Sequence, residues 1–141
     1  MHTSDITSGE GKSLALHATG STRAALLMAC VEGIFKAMEP IDPVDIVDTD
    51  ETERGFELKL DDTPHLLAKL IQEALAHSAE FHEQYTQITF GLITDKQAEG
   101  KLVGTPVKGF ARTLRQPAAS EISIAKREDG VWEAFIELQT A

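Results

Sequence analysis

A single cysteine, Cys30, stands in a chain of 141 residues, so no intramolecular disulfide is available and the sequence suits a reducing compartment. Basic charge is also scarce. Thirteen Lys and Arg face 23 Asp and Glu, a formal net charge of −10. That surplus repels phosphate backbones, which disfavours direct nucleic-acid binding over the surface at large and leaves a basic protein partner open. Long apolar runs are missing too. The longest cluster, residues 24–31, stops at Glu32 and Gly33 and is too short for a bilayer. Residues 1–12 are polar and rich in Gly, Ser and Thr, with no apolar stretch of signal-peptide length. The expectation is a cytoplasmic protein that avoids membranes. Its residues 1–12 form a flexible leader, with too little apolar surface to offset ordering entropy.

What is present is globular. Hydrophobic residues make up 42% and charged residues 26%, enough for one core in a single domain over residues 13–141. Leu14 and Leu16 alternate as a short strand over residues 13–18. Gly20, Ser21 and Thr22 then make a turn that supplies a hydroxyl cap. Ala24, Leu27, Val31, Ile34, Phe35 and Met38 have helical spacing, and Pro40 ends that helix. An acidic connection follows, with Val44, Ile46 and Val47 as a short strand inside it. Phe56, Leu58 and Leu60 alternate as the next strand. Thr63 as hydroxyl cap and Pro64 at the first helical position open a second helix whose stripe is Leu66, Leu67, Leu70, Ile71, Ala74 and Leu75. Further strands are expected around Ile88 to Leu92 and over residues 101–109, 121–126 and 131–138, the last two joined by the turn signal Asp129-Gly130. The class this order predicts is α+β, two amphipathic helices packed on antiparallel β-sheet.

Chemical motifs are incomplete. Gly9-Glu10-Gly11-Lys12-Ser13 resembles a phosphate loop, but Ile6 stands where its first glycine belongs. The acidic run from Asp42 to Glu53 lacks calcium-loop ligands: an EF-hand frame opened at Asp50 places Arg54 at a ligand position. Glu73, His77 and Glu80 share a helical face, the pattern of either a chelating trio or a solvated surface. Cys30, between Ala29 and Val31, reads as a small buried hydrophobe and not as a nucleophile. No serine elbow is present, and Trp132 after the hairpin turn reads as an anchor of the core or sheet edge. The expectation is a protein without a catalytic constellation of its own.

Three segments, residues 20–38 (GSTRAALLMACVEGIFKAM), 66–84 (LLAKLIQEALAHSAEFHEQ) and 121–138 (EISIAKREDGVWEAFIEL), taken in order, resemble the archease family. The resemblance implies a small acidic α+β protein that assists the RNA ligase of tRNA splicing and holds a metal through aspartates. It therefore implies a protein partner, possible use of a divalent cation such as Ca²⁺ or Mg²⁺, and an accessory role. Departures fall on the ligand positions. Counting back from Gly20, the family's N-terminal aspartate lands on Ser13, and with an inserted loop it is Asp5. Counting on from Trp132, the C-terminal aspartate lands on Gln139, while the family's lysine and histidine positions fall on Arg115 and Ser120. The metal candidates are thus Asp5, Glu137 and Gln139, with Arg115 beside them, and a neutral glutamine is a poor ligand for a hard cation. The implied function is an archease-like accessory protein with a degenerate metal site. The alternative is a small metal- or ligand-binding enzyme.

Overall fold

In the computed structural model, which describes residues 2–8, 13–41 and 51–140, the alternation of Leu14, Leu16 and Ala18 becomes strand β2 (Ser13–Gly20) with those three side chains buried. Strand β1 (His2–Ser8) lies antiparallel to it, Asp5 opposite His17 and Ile6 opposite Leu16. Residues 2–8 of the expected flexible leader form this strand. Its apolar surface is small, but its backbone groups complete the ladder of β2 and Ile6 packs against the core. The glycine-rich segment at 9–12 lies outside the described residues.

Helix α1 (Arg23–Ala37) starts where Thr22 Oγ1 accepts a hydrogen bond from Ala25 N at 3.1 Å. The single stripe read from the sequence is too narrow. Leu26, Ala29, Cys30 and Gly33 are buried as well, because α1 packs against β1 and β2 and also against β5 (Glu83–Ile93) of a second sheet. A Cβ at Gly33 would come within 2.6 Å of Leu16 Cδ1 and 3.0 Å of Ser4 Cβ, so a bare backbone lets the helix sit down on the β1–β2 hairpin. The helix ends through Met38 and Glu39, the latter left-handed at φ 54°, before β3 (Pro40–Ile41).

Residues 42–50, which hold the short strand expected at Val44, Ile46 and Val47 and most of the acidic run, lie outside the described residues. The chain resumes in β4 (Thr52–Lys59), with Phe56 and Leu58 buried. Helix α2 (Thr63–Phe81) carries proline in its first turn as expected, but Thr63 is not its cap. Asp62 is, accepting from His65 N at 2.9 Å, while the Thr63 hydroxyl donates to the Asp95 carbonyl. Leu66, Leu67, Leu70, Ile71 and Ala74 face the core.

Beyond α2 and β5 come β6 (Gln97–Pro106), β7 (Gly109–Phe110), a short 3₁₀ turn (Ala119–Glu121), β8 (Ile122–Lys126) and β9 (Trp132–Gln139). The β8–β9 turn forms at Asp129-Gly130 as its sequence signals, with Gly130 at φ 86°. Among the described residues the strands make three antiparallel sheets, of order β1-β2-β9-β8, β4-β6-β5 and β3-β7. The two helices pack against the first two, so the class is α+β. Trp132 is half-buried beneath the guanidinium of Arg23, 4.8 Å from its ring centre. No described helix is long and apolar enough to cross a membrane.

Candidate functional site

Strand parity splits the β1-β2-β9-β8 sheet into two faces. Leu14, Leu16, Ala134, Ile136 and Leu138 point to the helices and are buried. The opposite parity brings Asp5, Ala15, His17, Phe135 and Glu137 onto an outer face, where Asp5, Ala15, Phe135 and Glu137 are exposed. There a depression of about 500 Å³ opens, with Thr7, Ser120, Glu121 and Ser123 on its walls.

Phe135 is the unusual residue of this face. It is 52% exposed, on a strand parity otherwise occupied by Glu133, Glu137 and Gln139. An aromatic on the polar parity of a half-buried strand is the sequence signal that the pattern reading passed over. Its ring stacks on His17 at 4.6 Å between centres and 18° between planes. His17 is held in turn by Glu133, whose Oε2 lies 2.8 Å from Nε2. The Glu121 carboxylate is fixed at the edge of the depression by the Ala118 amide, which donates to Oε1 at 3.0 Å.

The metal candidates share this face without converging. Asp5 and Glu137 are separated by the whole of β2 and by two residues of register, about 12 Å between Cα atoms on standard strand spacings. Gln139 is two residues further, about 17 Å from Asp5 on the same spacings. Ligands of one cation approach it to about 2.3–2.6 Å, so these three do not fit a shared ion without laying side chains flat across β2. The ungapped positions behave differently. Ser13 stands directly opposite Gln139, and Arg115 N donates to the Gln139 carbonyl at 2.9 Å. The positions counted from the family pattern therefore meet at one corner of the sheet, and none of the three is a carboxylate. Among the described residues no group of three or more His, Cys, Asp or Glu side chains is placed to hold a metal. His77 lies 3.5 Å from Glu73, and that pair gathers no third ligand.

Two further groups lie elsewhere. Cys30 is fully buried in α1, and burial pushes its thiol up to about 12, far from a nucleophile's range. Glu83 at the start of β5 is 3% exposed. Arg54 clamps it with Nε and Nη2, each at 2.9 Å, and Tyr85 Oη donates to Oε1 at 2.8 Å. Burial alone would raise the Glu83 carboxyl, but the hydrogen bonds from Arg54 and Tyr85 outweigh it and hold the pKa below the ordinary value. The Arg54 guanidinium also lies 3.6 Å over the Phe81 ring. This cluster joins β4, α2 and β5.

No protein-family model matches the chain, and no curated protein matches it by sequence. Solved structures do. Protein 1598 of Methanobacterium thermoautotrophicum, determined in solution, superposes with a TM-score of 0.65 at 13% identity, over 98% of this chain and 97% of its own. An archease from Thermotoga maritima, described as a possible chaperone, superposes with a TM-score of 0.59 at 14% identity, over 89% of this chain and 87% of its own. The fold is archease-like along nearly the whole chain.

Proposed function

We propose that this protein is an archease-like accessory factor that works by engaging another protein, and that its partner is an RNA ligase of the tRNA-splicing type. The observation that carries the reading is the superposition on an archease described as a possible chaperone, which spans most of both chains. The chemistry of the site supports it. The outer sheet face offers an exposed aromatic, hydroxyls and carboxylates, the groups of a recognition surface. A degenerate metal site is part of the proposal. Ser13, Gln139 and Arg115 occupy the corner where ligands would be needed, with two neutral side chains and one cation. Hard cations favour anionic oxygens, so this corner should hold them weakly.

The test is a multiple-turnover RNA ligation assay with the RNA ligase of the same organism, with and without this chain. The expected result is more ligated product per enzyme when the chain is added, together with a complex seen by size-exclusion chromatography. No change in turnover and no complex would overturn the reading.

A further inference from the structure

The depression on the outer sheet face has a defined chemistry. Its lining carries the carboxylates of Glu121 and Glu137 and, among the described residues, no lysine or arginine. The nearby Arg127 is paired within the fold, 2.9 Å from Asp129 and 4.0 Å from Glu133. Phe135 stands over the depression with one ring face on His17. On its other side its register partner is Ser123, a side chain too small to cover it. The pocket thus pairs an uncovered aromatic surface with carboxylates two residues further along the same strand face.

We infer that this depression receives an arginine side chain from a basic segment of a partner protein. A guanidinium is flat and weakly hydrated, so it can lie against Phe135 while its N–H fork meets the Glu137 carboxylate. A lysine ammonium can pair with the carboxylate but has no plane to stack. An RNA phosphate would meet Glu121, Glu137 and a chain of net charge −10. The stack is preorganised, because Glu133 fixes His17 and His17 backs Phe135, which lowers the ordering cost of binding. The inference rests on the reading that this chain acts by binding a protein, and it assigns the chemistry of the contact.

The test titrates the full chain with a blocked peptide, acetyl-Gly-Arg-Gly-amide, at low salt, followed by backbone amide NMR. The expected result is saturable shifts at His17, Ser123, Phe135 and Glu137, with the lysine analogue binding more weakly. Glu137→Gln should weaken arginine-peptide binding by about tenfold, the loss of a charge-assisted hydrogen bond. Phe135→Leu, which keeps apolar bulk but no π-face, should erase the preference for arginine over lysine. Both residues are exposed, so the variants should keep dispersed spectra. Equal binding of the two peptides spread over the acidic surface, or binding untouched by Glu137→Gln, would overturn the inference. If ligase turnover still rises while the peptide result fails, only the pocket assignment falls. Peptide binding without any effect on the ligase would instead retire the accessory reading and leave the pocket standing.

Discussion

At Glu83 a carboxylate is kept ionised in a place where water cannot reach it. The guanidinium of Arg54 and the hydroxyl of Tyr85 substitute for the lost hydration and hold the carboxyl below its ordinary pKa. A group whose folded pKa is lowered stabilises the fold above its ordinary value, 4.5 here, and that contribution is lost as pH falls through the folded value. Tyr85→Phe, which removes one donor to a buried charge, should cost about 1.5–3 kcal/mol at neutral pH by urea denaturation. Arg54→Met should destabilise more strongly at pH 7, because it leaves the carboxylate buried and unpaired. Unfolding curves recorded from pH 7 to pH 3 should show the gap between wild type and Arg54→Met narrowing as pH falls, first as the unpaired Glu83 of the variant takes up a proton above the ordinary 4.5, then as wild-type Glu83 is protonated below it. A gap that stays constant with pH would mean that the pair is not what Arg54 contributes. None of this was legible in the residue pattern. Arg54 and Glu83 lie 29 positions apart, and a pair at that separation leaves no periodic trace.

Among the elements, both helices and most strands could be read from spacing, since α1 and α2 bury the residues that their 3.6-residue period places together. Leu27, Ile34 and Leu70 are 0%, 1% and 0% exposed, and alanine at any of them should cost on the order of 2–5 kcal/mol in thermal or chemical unfolding. What spacing could not give was β1. His2, Thr3, Ser4 and Asp5 carry no apolar alternation, and the segment becomes a strand because β2 presents an unpaired edge to it. The cap of α2 was misplaced for a similar reason: Asp62 and Thr63 are both capping types, and the Asp95 carbonyl, remote in sequence, decides between them by engaging the Thr63 hydroxyl. Deleting residues 1–8 should lower the melting temperature by several degrees, because β2 loses its ladder partner and α1 loses a strand it packs against. An unchanged melting temperature would show that β1 adds nothing to the fold.

Across the whole molecule, acidity and the spread of potential ligands bear on cations together. Mg²⁺, Mn²⁺ or Ca²⁺ should give the wild type no saturable rise in melting temperature beyond general screening of its −10 charge. Gln139→Asp combined with Ser13→Asp sets two carboxylates opposite each other, with Glu137 two residues along the same strand face. That variant should be less stable than wild type without metal, through mutual repulsion, and should recover with it. Saturable binding by the wild type at micromolar cation would sink the degenerate-site reading, and no gain in the double variant would undercut the counted positions. The site itself was only half visible in the sequence. Glu137 and Gln139 were marked by position, whereas the stack of His17 on Phe135 depends on β2 meeting β9.

That meeting has a consequence in time. His17 and Glu133 are 116 positions apart, so the strand carrying half of the outer face waits for almost the entire chain before it finds its neighbour. Closing so long a loop is slow, and during synthesis β2 leaves the ribosome well before β9 exists. Until then one edge of the β1–β2 hairpin is bare, and neither the Phe135 surface nor the corner at Gln139 has been built. The outer face therefore matures only once β9 has been made, and a nascent chain should be unable to engage the proposed partner there before synthesis has passed β9.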